Sequence, residues 1–344
     1  MGLSSILKPQ RTLVGVDLGA HTMKALQLAP NNLSVDHAAA IETPPELRAD
    51  PNARLRWQFD HLPELIKQGR FTGKRAAVAI PAERTIVENI AVAKAQGVST
   101  TDMLAEKLRS ATGLEPNTLV VRHEEVGDVT RNGAKSTETL CFAIPRAIVK
   151  DHMRALKKCG LDTVGVHCQH AAIARAARAC ENDAEDASTL FLDLGVTGVR
   201  AIVAKQGALI ASRTIAADLL EAAAPPQVLA PTGTDNTPVT MPSPSFMGSS
   251  PLDAVAEELG QLARYCAAVR PDAPVKSVVF VGGLSTSDTL CADLAKRLRL
   301  PAHAADPVSH LPWAKKPGAG APDPSEPKPA WTVALGLCLS PTDL

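Results

Sequence analysis

The chain of 344 residues lacks an excess of either charge, since 36 Lys and Arg balance 36 Asp and Glu. With no net charge, neither a nucleic-acid partner nor direct contact with a membrane surface has an electrostatic argument behind it. It also lacks a run of about 18 apolar residues, the least that reads as a membrane-spanning helix. The opening MGLSSILKPQR has too short an apolar core for a secretory signal. Paired cysteines are missing as well. The seven present, Cys141, Cys159, Cys168, Cys180, Cys266, Cys291 and Cys338, are scattered without a C-x-x-C. An odd number so spread reads as buried free thiols in a reducing compartment, not as a disulfide framework. These absences predict a soluble cytoplasmic chain, and its length suits two domains or one bilobal fold.

Two stretches are built like linkers. Residues 222–251, AAAPPQVLAPTGTDNTPVTMPSPSFMGSSP, and 312–330, PWAKKPGAGAPDPSEPKPA, are rich in Pro and have no apolar period. Neither buries enough apolar surface to offset its ordering entropy, so both are expected as mobile surface excursions. Patterned segments follow each, so they interrupt a fold without ending it.

Between them, short apolar runs of strand length, 75–81, 139–145, 188–195 and 277–283, alternate with helical patterns. Pro145 precedes a run in which Ile148, Val149, Met153 and Leu156 fall at helical spacing, with Gly160 at the stop. Residues 252–269 form a second amphipathic pattern, with Asp253 near its start and Pro271 just beyond. Strands alternating with helices predict an α/β fold with a mixed sheet.

The internal repeat decides more. LVGVDLGAHTMKALQL at 13–28 is echoed by LFLDLGVTGVRAIVA at 190–204, which aligns Asp17-Leu18-Gly19 with Asp193-Leu194-Gly195 and Lys24 with Arg200. A buried strand ending in a carboxylate is costly unless something at the turn uses the charge. One D-x-G is an ordinary strand-end turn, because Asp and Gly favour turns. Two matched copies predict a nucleotide gripped from both sides. Gly19 and Gly195 would let the backbone approach a phosphate. Asp17 and Asp193 would hold a magnesium ion riding on the phosphates, directly or through water. Thr22 would donate a hydroxyl, Thr197 sits in the matching second turn, and Lys24 would neutralise phosphate charge. A third element, VVFVGGLSTSDTL, places Gly282, Gly283 and Ser285 after a strand, where paired glycines would let the backbone close over an adenine and ribose. ATP and Mg2+ are thus the expected cofactors.

Other motifs fail on spacing. GRFTGKR at 69–75 has its glycines too close for a P-loop, and Arg75 stands where a metal-holding hydroxyl belongs. No G-x-G-x-x-G follows a strand, which argues against a Rossmann site. HCQH at 167–170 is cramped for zinc. Gln169 or His170 would orient an attacking water if this segment ends at the cleft, which makes Gln169 the candidate catalytic residue; a strand end leading into a core helix is the simpler reading.

These residues resemble the type IV pilus assembly protein PilM family, which has an actin-like ATPase fold and is related to the cell-division protein FtsA. The resemblance begins at GLSSILKPQRTLVGVDLG and runs through AAVAIPAERTIVENIAV, FAIPRAIVKDHMRALKKCGLDTVGVHCQHAAIARA, the second D-L-G repeat, SVVFVGGLS and the closing WTVALGLCLS. It implies an α/β, actin-like (ribonuclease H-like) bilobal fold with a small inserted α+β subdomain. The first lobe would comprise 1–81, 146–186 and 331–344, the insert 82–145, and the second lobe 187–330. It also implies a cytoplasmic scaffold, peripheral to the inner membrane, which binds the N-terminal tail of a PilN-like protein and links it to pilus motor ATPases.

The chain departs from the family at Gly198 and Val199, where small hydroxyl residues are usual, and at Gln169, which replaces an acidic residue. The helical subdomain that normally follows SRTI is expected to be reduced. Binding is favoured over turnover. A small-molecule kinase of the same fold would need a further acidic base. A nucleotide-free secretion-platform scaffold and an FtsA-like filament former stand as further alternatives.

Overall fold

The computed structural model describes residues 13–30, 34–93, 99–131, 134–178, 187–223, 250–313, 321–323 and 325–340. The first apolar run becomes the buried strand β1 (Val14–Leu18), which turns back as β2 (Thr22–Leu28) and again as β3 (Val35–Glu42), an all-antiparallel meander. Asp50 then starts α1 (Pro51–Gly69), its carboxylate accepting the N–H groups of Asn52 and Ala53. The helix is a crossover, and β4 (Arg75–Ile80) accordingly returns parallel to β1.

The chain next leaves this sheet. β5 (Ile86–Ala93), α2 (Thr100–Thr112), β6 (Leu119–Arg131) and β7 (Ala134–Pro145) build a separate antiparallel sheet in the order β5-β7-β6. The two-residue period of β7 gives it two partners. Leu140, Phe142 and Ile144 join the large central core, while Cys141 and Ala143 meet Leu104 and Leu108 of α2. Pro145 then initiates α3 (Arg146–Lys158), and Gly160, at φ +77°, turns the chain out of it, as the sequence pattern predicts. β8 (Asp162–Cys168) adds to β4 in parallel and runs straight into α4 (Gln169–Arg178).

The second half repeats the plan. β9 (Ser188–Gly195), β10 (Gly198–Lys205) and β11 (Ala208–Ala216) form a meander, and short α5 (Leu220–Ala223) and long α6 (Pro251–Val269) follow. A capping box between Ser250 and Asp253 starts α6, whose Leu252, Val255, Leu259, Leu262, Cys266 and Val269 form one buried stripe. β12 (Val275–Val281), α7 (Asp288–Leu298) and β13 (Ala302–Ala304) complete a sheet in the order β11-β10-β9-β12-β13. The first sheet is β3-β2-β1-β4-β8, with the same sequence of antiparallel and parallel pairs. What the sequence shows as two D-L-G hairpins is therefore the duplication of an entire five-stranded sheet.

The closing helix α8 (Thr332–Cys338) crosses back to the first sheet. Its Gly336 lies so close to α4 that a Cβ there would sit 1.8 Å from the Ala172 carbonyl oxygen, and Arg175 Nε donates to the Gly336 carbonyl at 3.0 Å. The Pro-rich stretch 312–330 differs from expectation at its ends. Val35 N–H donates to the Pro312 carbonyl at 2.9 Å, Trp313 bridges to Val35, and Lys328 and Pro329 are buried. The physical reason is that these ends bracket the β3 edge and the start of α8. Most of the other stretch, 224–249, falls outside the described residues, so α5 is what the structure describes of the expected reduced subdomain.

Candidate functional site

The two D-L-G turns open into one cleft of about 240 Å³. Strand register builds its walls. Asp17 lies directly opposite Lys24 on the β1–β2 pair, and Asp193 directly opposite Arg200 on the β9–β10 pair. Opposed residues project from the same face, so each carboxylate is delivered with a cation of its own. Both carboxylates are 3% exposed.

The contacts continue across the cleft. Lys24 Nζ stands 4.0 Å from Asp17 Oδ2. Asp17 Oδ1 accepts a hydrogen bond from Gln169 Nε2 at 3.1 Å. Gln169 Oε1 accepts from Arg200 Nη1 at 3.2 Å and from the backbone N–H of Ala82 at 2.9 Å. Arg200 Nε donates to Asp193 Oδ2 at 2.6 Å, and its Nη2 pairs with the same oxygen. A single network thus runs Lys24–Asp17–Gln169–Arg200–Asp193 between the two sheets. Burial raises the Asp17 carboxyl above its usual range, against the pull of Lys24 and the Gln169 bond. Burial also lowers the Lys24 ammonium, against Asp17 and Asp193. For Arg200 burial acts downward too, but Asp193 and Asp17 outweigh it and hold the guanidinium charged.

The remaining predicted residues fall around this network. Gly19, Thr22, Gly195, Thr197, Gly282 and Gly283 all line the cleft. The Thr22 hydroxyl is engaged with His21 Nδ1 at 2.9 Å. Gly282 has φ +90°, and a Cβ there would lie 2.1 Å from Asp193 Oδ1, so glycine is required at this turn. Ser285 is the predicted residue that does not line the cleft. Its hydroxyl donates to the Gly282 carbonyl at 2.8 Å and closes the turn from behind.

Gln169 also departs from expectation. Both lone pairs of its side-chain oxygen are taken, by Ala82 and Arg200, which leaves no acceptor to orient a water. It is a bridge between the carboxylates. In the same segment, His170 Nε2 pairs with Thr214 Oγ1 at 3.0 Å, and burial pushes this imidazole down to about 3.

Magnesium does not fit the donor set as expected. Each carboxylate is already paired with a cation of the chain, and among the described residues no group of three His, Cys, Asp or Glu is arranged to hold a metal.

Sequence reasoning missed three contributors. Arg200 was visible as the partner of Lys24 in the repeat, and its register opposite Asp193 is the signal that finds it. Gln58 of α1 donates to the Gly19 carbonyl at 2.8 Å and so fixes the first turn. In a trans peptide the Ala20 N–H then points the other way. The start of α8 contributes Ala330, Thr332 and Val333 to the cleft, and Gly282 N–H donates to the Pro329 carbonyl at 3.1 Å.

No family model matches the chain, and no curated protein matches it. Solved structures do. A PilM-PilN type IV pilus biogenesis complex superposes with a TM-score of 0.67 at 18% identity, covering 95% of this chain and 98% of the other. A Bacteroides thetaiotaomicron protein with an actin-like ATPase fold and unknown function gives 0.49 at 11% identity, covering 89% and 95%. The ethanolamine utilization protein EutJ from Carboxydothermus hydrogenoformans gives 0.46 at 14%, covering 95% and 89%. The duplicated sheets, the shared cleft and the likeness to the PilM-PilN structure agree: the chain has a PilM-like, actin-like fold.

Proposed function

We propose that this chain is an ATP-binding scaffold of type IV pilus assembly, working by holding a partner and not by rapid nucleotide turnover. The observation that carries the reading is the meeting of both D-L-G turns, with Lys24 and Arg200, in one cleft. Lys24 and Arg200 offer positive charge to phosphates, and Gly19, Gly195 and Thr197 offer close backbone approach. Gly282 and Gly283 leave room for a base and ribose. Nothing in the network works as a general base. Asp193 is clamped by Arg200, Asp17 is buried against Lys24, and the Gln169 oxygen is filled.

The partner follows from the likeness to a PilM–PilN complex over nearly the whole chain. In this reading the occupant is the cytoplasmic tail of a PilN-like inner-membrane protein, lying between the first lobe (1–81, 146–186, 331–344) and the insert (82–145). The second lobe (187–330) completes the nucleotide cleft, and pilus motor ATPases are further contacts. The protein would then be cytoplasmic and held at the inner membrane through partners. Among the described residues no helix is long and apolar enough to cross a membrane.

The test is calorimetric titration of the full chain with ATP, and separately with a synthetic tail peptide of a PilN-like protein from the same source. Saturable binding of both, with phosphate release no faster than the buffer background, is expected. Absence of peptide binding with and without ATP would sink the pilus reading, and rapid release would restore the enzyme alternative.

A further inference from the structure

We infer that the Arg200 guanidinium takes the place of the divalent cation in this cleft, so that nucleotide binds here without magnesium. The inference rests on the reading of the cleft as a nucleotide site and concerns how that site balances charge. Arg200 reaches two groups at the position a metal would take, and through one of them a third. Its Nε and Nη2 are both on Asp193 Oδ2, and its Nη1 is on Gln169 Oε1, whose amide nitrogen is in turn on Asp17 Oδ1. The guanidinium is thereby wired to both carboxylates, the one directly and the other through one amide. Lys24 Nζ stands 4.0 Å from the other oxygen of Asp17. Two buried carboxylates are thus matched by two cations before any phosphate arrives. A magnesium ion needs anionic or carbonyl oxygens free to face it and is poorly served beside a fixed positive charge. Phosphate oxygens, by contrast, suit a guanidinium fork.

The position is set by the fold. Arg200 stands directly across the β9–β10 ladder from Asp193, so moving the guanidinium away from the carboxylate would leave a buried charge unpaired. The equivalent residue of the first copy is Lys24, a point charge 4.0 Å from its carboxylate and free to turn to a phosphate. The two copies divide the labour. Lys24 follows the phosphate, and Arg200 fills the metal position.

The experiment compares ATP affinity of the full chain in excess EDTA and in excess magnesium chloride. The expected result is a difference within about threefold, against a loss of about tenfold or more in EDTA for a site that needs the metal. Arg200→Gln keeps a hydrogen-bonding side chain on Gln169 and should convert the site to magnesium dependence. Should that variant fail to fold, electron paramagnetic resonance of manganese added to the wild-type protein with ATP supplies the second reading. Manganese signals unchanged from manganese–ATP alone are expected, and an immobilised protein-bound spectrum would overturn the inference. Wild-type binding that appears with magnesium only also overturns it while leaving the nucleotide site standing. No ATP binding in either buffer overturns both.

Discussion

The two halves of the molecule fold the same hairpin and use it differently. In both, an aspartate ends a buried central strand and faces a cation seven residues on, across the ladder. Two positions before the aspartate they part: the first strand has Gly15, the second Phe191. The first is covered by α8, whose Ala334 carbonyl oxygen would lie 2.5 Å from a Cβ on Gly15. At the second, Phe191, 2% exposed, puts a large side chain into the central core. The cations part as well, an ammonium at 4.0 Å in one and a clamped guanidinium in the other. A duplicated fold keeps its register because the hydrogen-bond ladder demands it. What is free to diverge is the covering layer and the strength with which each carboxylate is held.

The strongest test of that contrast exchanges sizes at the repeat position. Phe191→Ala should cost about 3–5 kcal/mol by the cavity it leaves, while Gly15→Ala should cost about 1–3 kcal/mol because α8 must lift. Urea denaturation measures both, and a neutral Gly15→Ala would show that α8 is not seated on β1 as described. Next comes the charge pair. Removing the guanidinium in Arg200→Met leaves Asp193 buried and unpaired, with an expected loss of about 3–5 kcal/mol. Lys24→Met should cost less, since the pair is looser at 4.0 Å and burial already works against the charged form of Asp17. Equal losses in the two variants would erase the distinction.

The adjacent glycines give a finer comparison. Gly282→Ala meets Asp193 Oδ1 at positive φ and should cost about 2 kcal/mol. Gly283→Ala, whose nearest neighbour would be Ala330 Cβ at 3.7 Å, should stay within about 0.5 kcal/mol. Thermal melting of the pair separates them.

Acid should act unevenly, on one side of the molecule. Burial holds His167 down to about 4 and His170 to about 3, the latter with a smaller push from Arg200. Both folded values lie below the unfolded value of about 6.5, so the unfolded chain binds more protons on acidification. The stability these neutral imidazoles allow is complete above pH 6.5 or so. It falls as pH drops toward 4 and 3, at up to about 1.4 kcal/mol per unit for each. Amide protection factors, which divide out the intrinsic slowing of exchange in acid, should therefore fall at pH 5 around β8 and α4 before the β9–β10 hairpin, and a uniform fall would sink the assignment.

Much of this was written in the sequence. The local pattern alone determined the strands that end at Asp17 and Asp193, the helix started by Pro145 and ended at Gly160, and the α6 stripe. These rest on period, caps and turn residues, which neighbours in sequence settle. The repeat foretold that both aspartates and their glycines share one site, because two copies of one sheet must place equivalent turns alike. Tertiary structure decided the rest. Gln169 has a side chain whose work depends on which groups far away in sequence reach it first, and Ser285 one whose work depends on how its turn is seated. The Gln169 oxygen is filled by Ala82 and Arg200, 87 and 31 residues distant. Pro312 and Pro329, set in a stretch that composition marks as loose, are pinned by Val35 and Gly282. No local pattern encodes such bonds, since they form only once the sheet edge and the closing helix are in place. The role of Arg200 falls between. Sequence supplied its position, and the fold supplied the two carboxylates that determine what its charge is for.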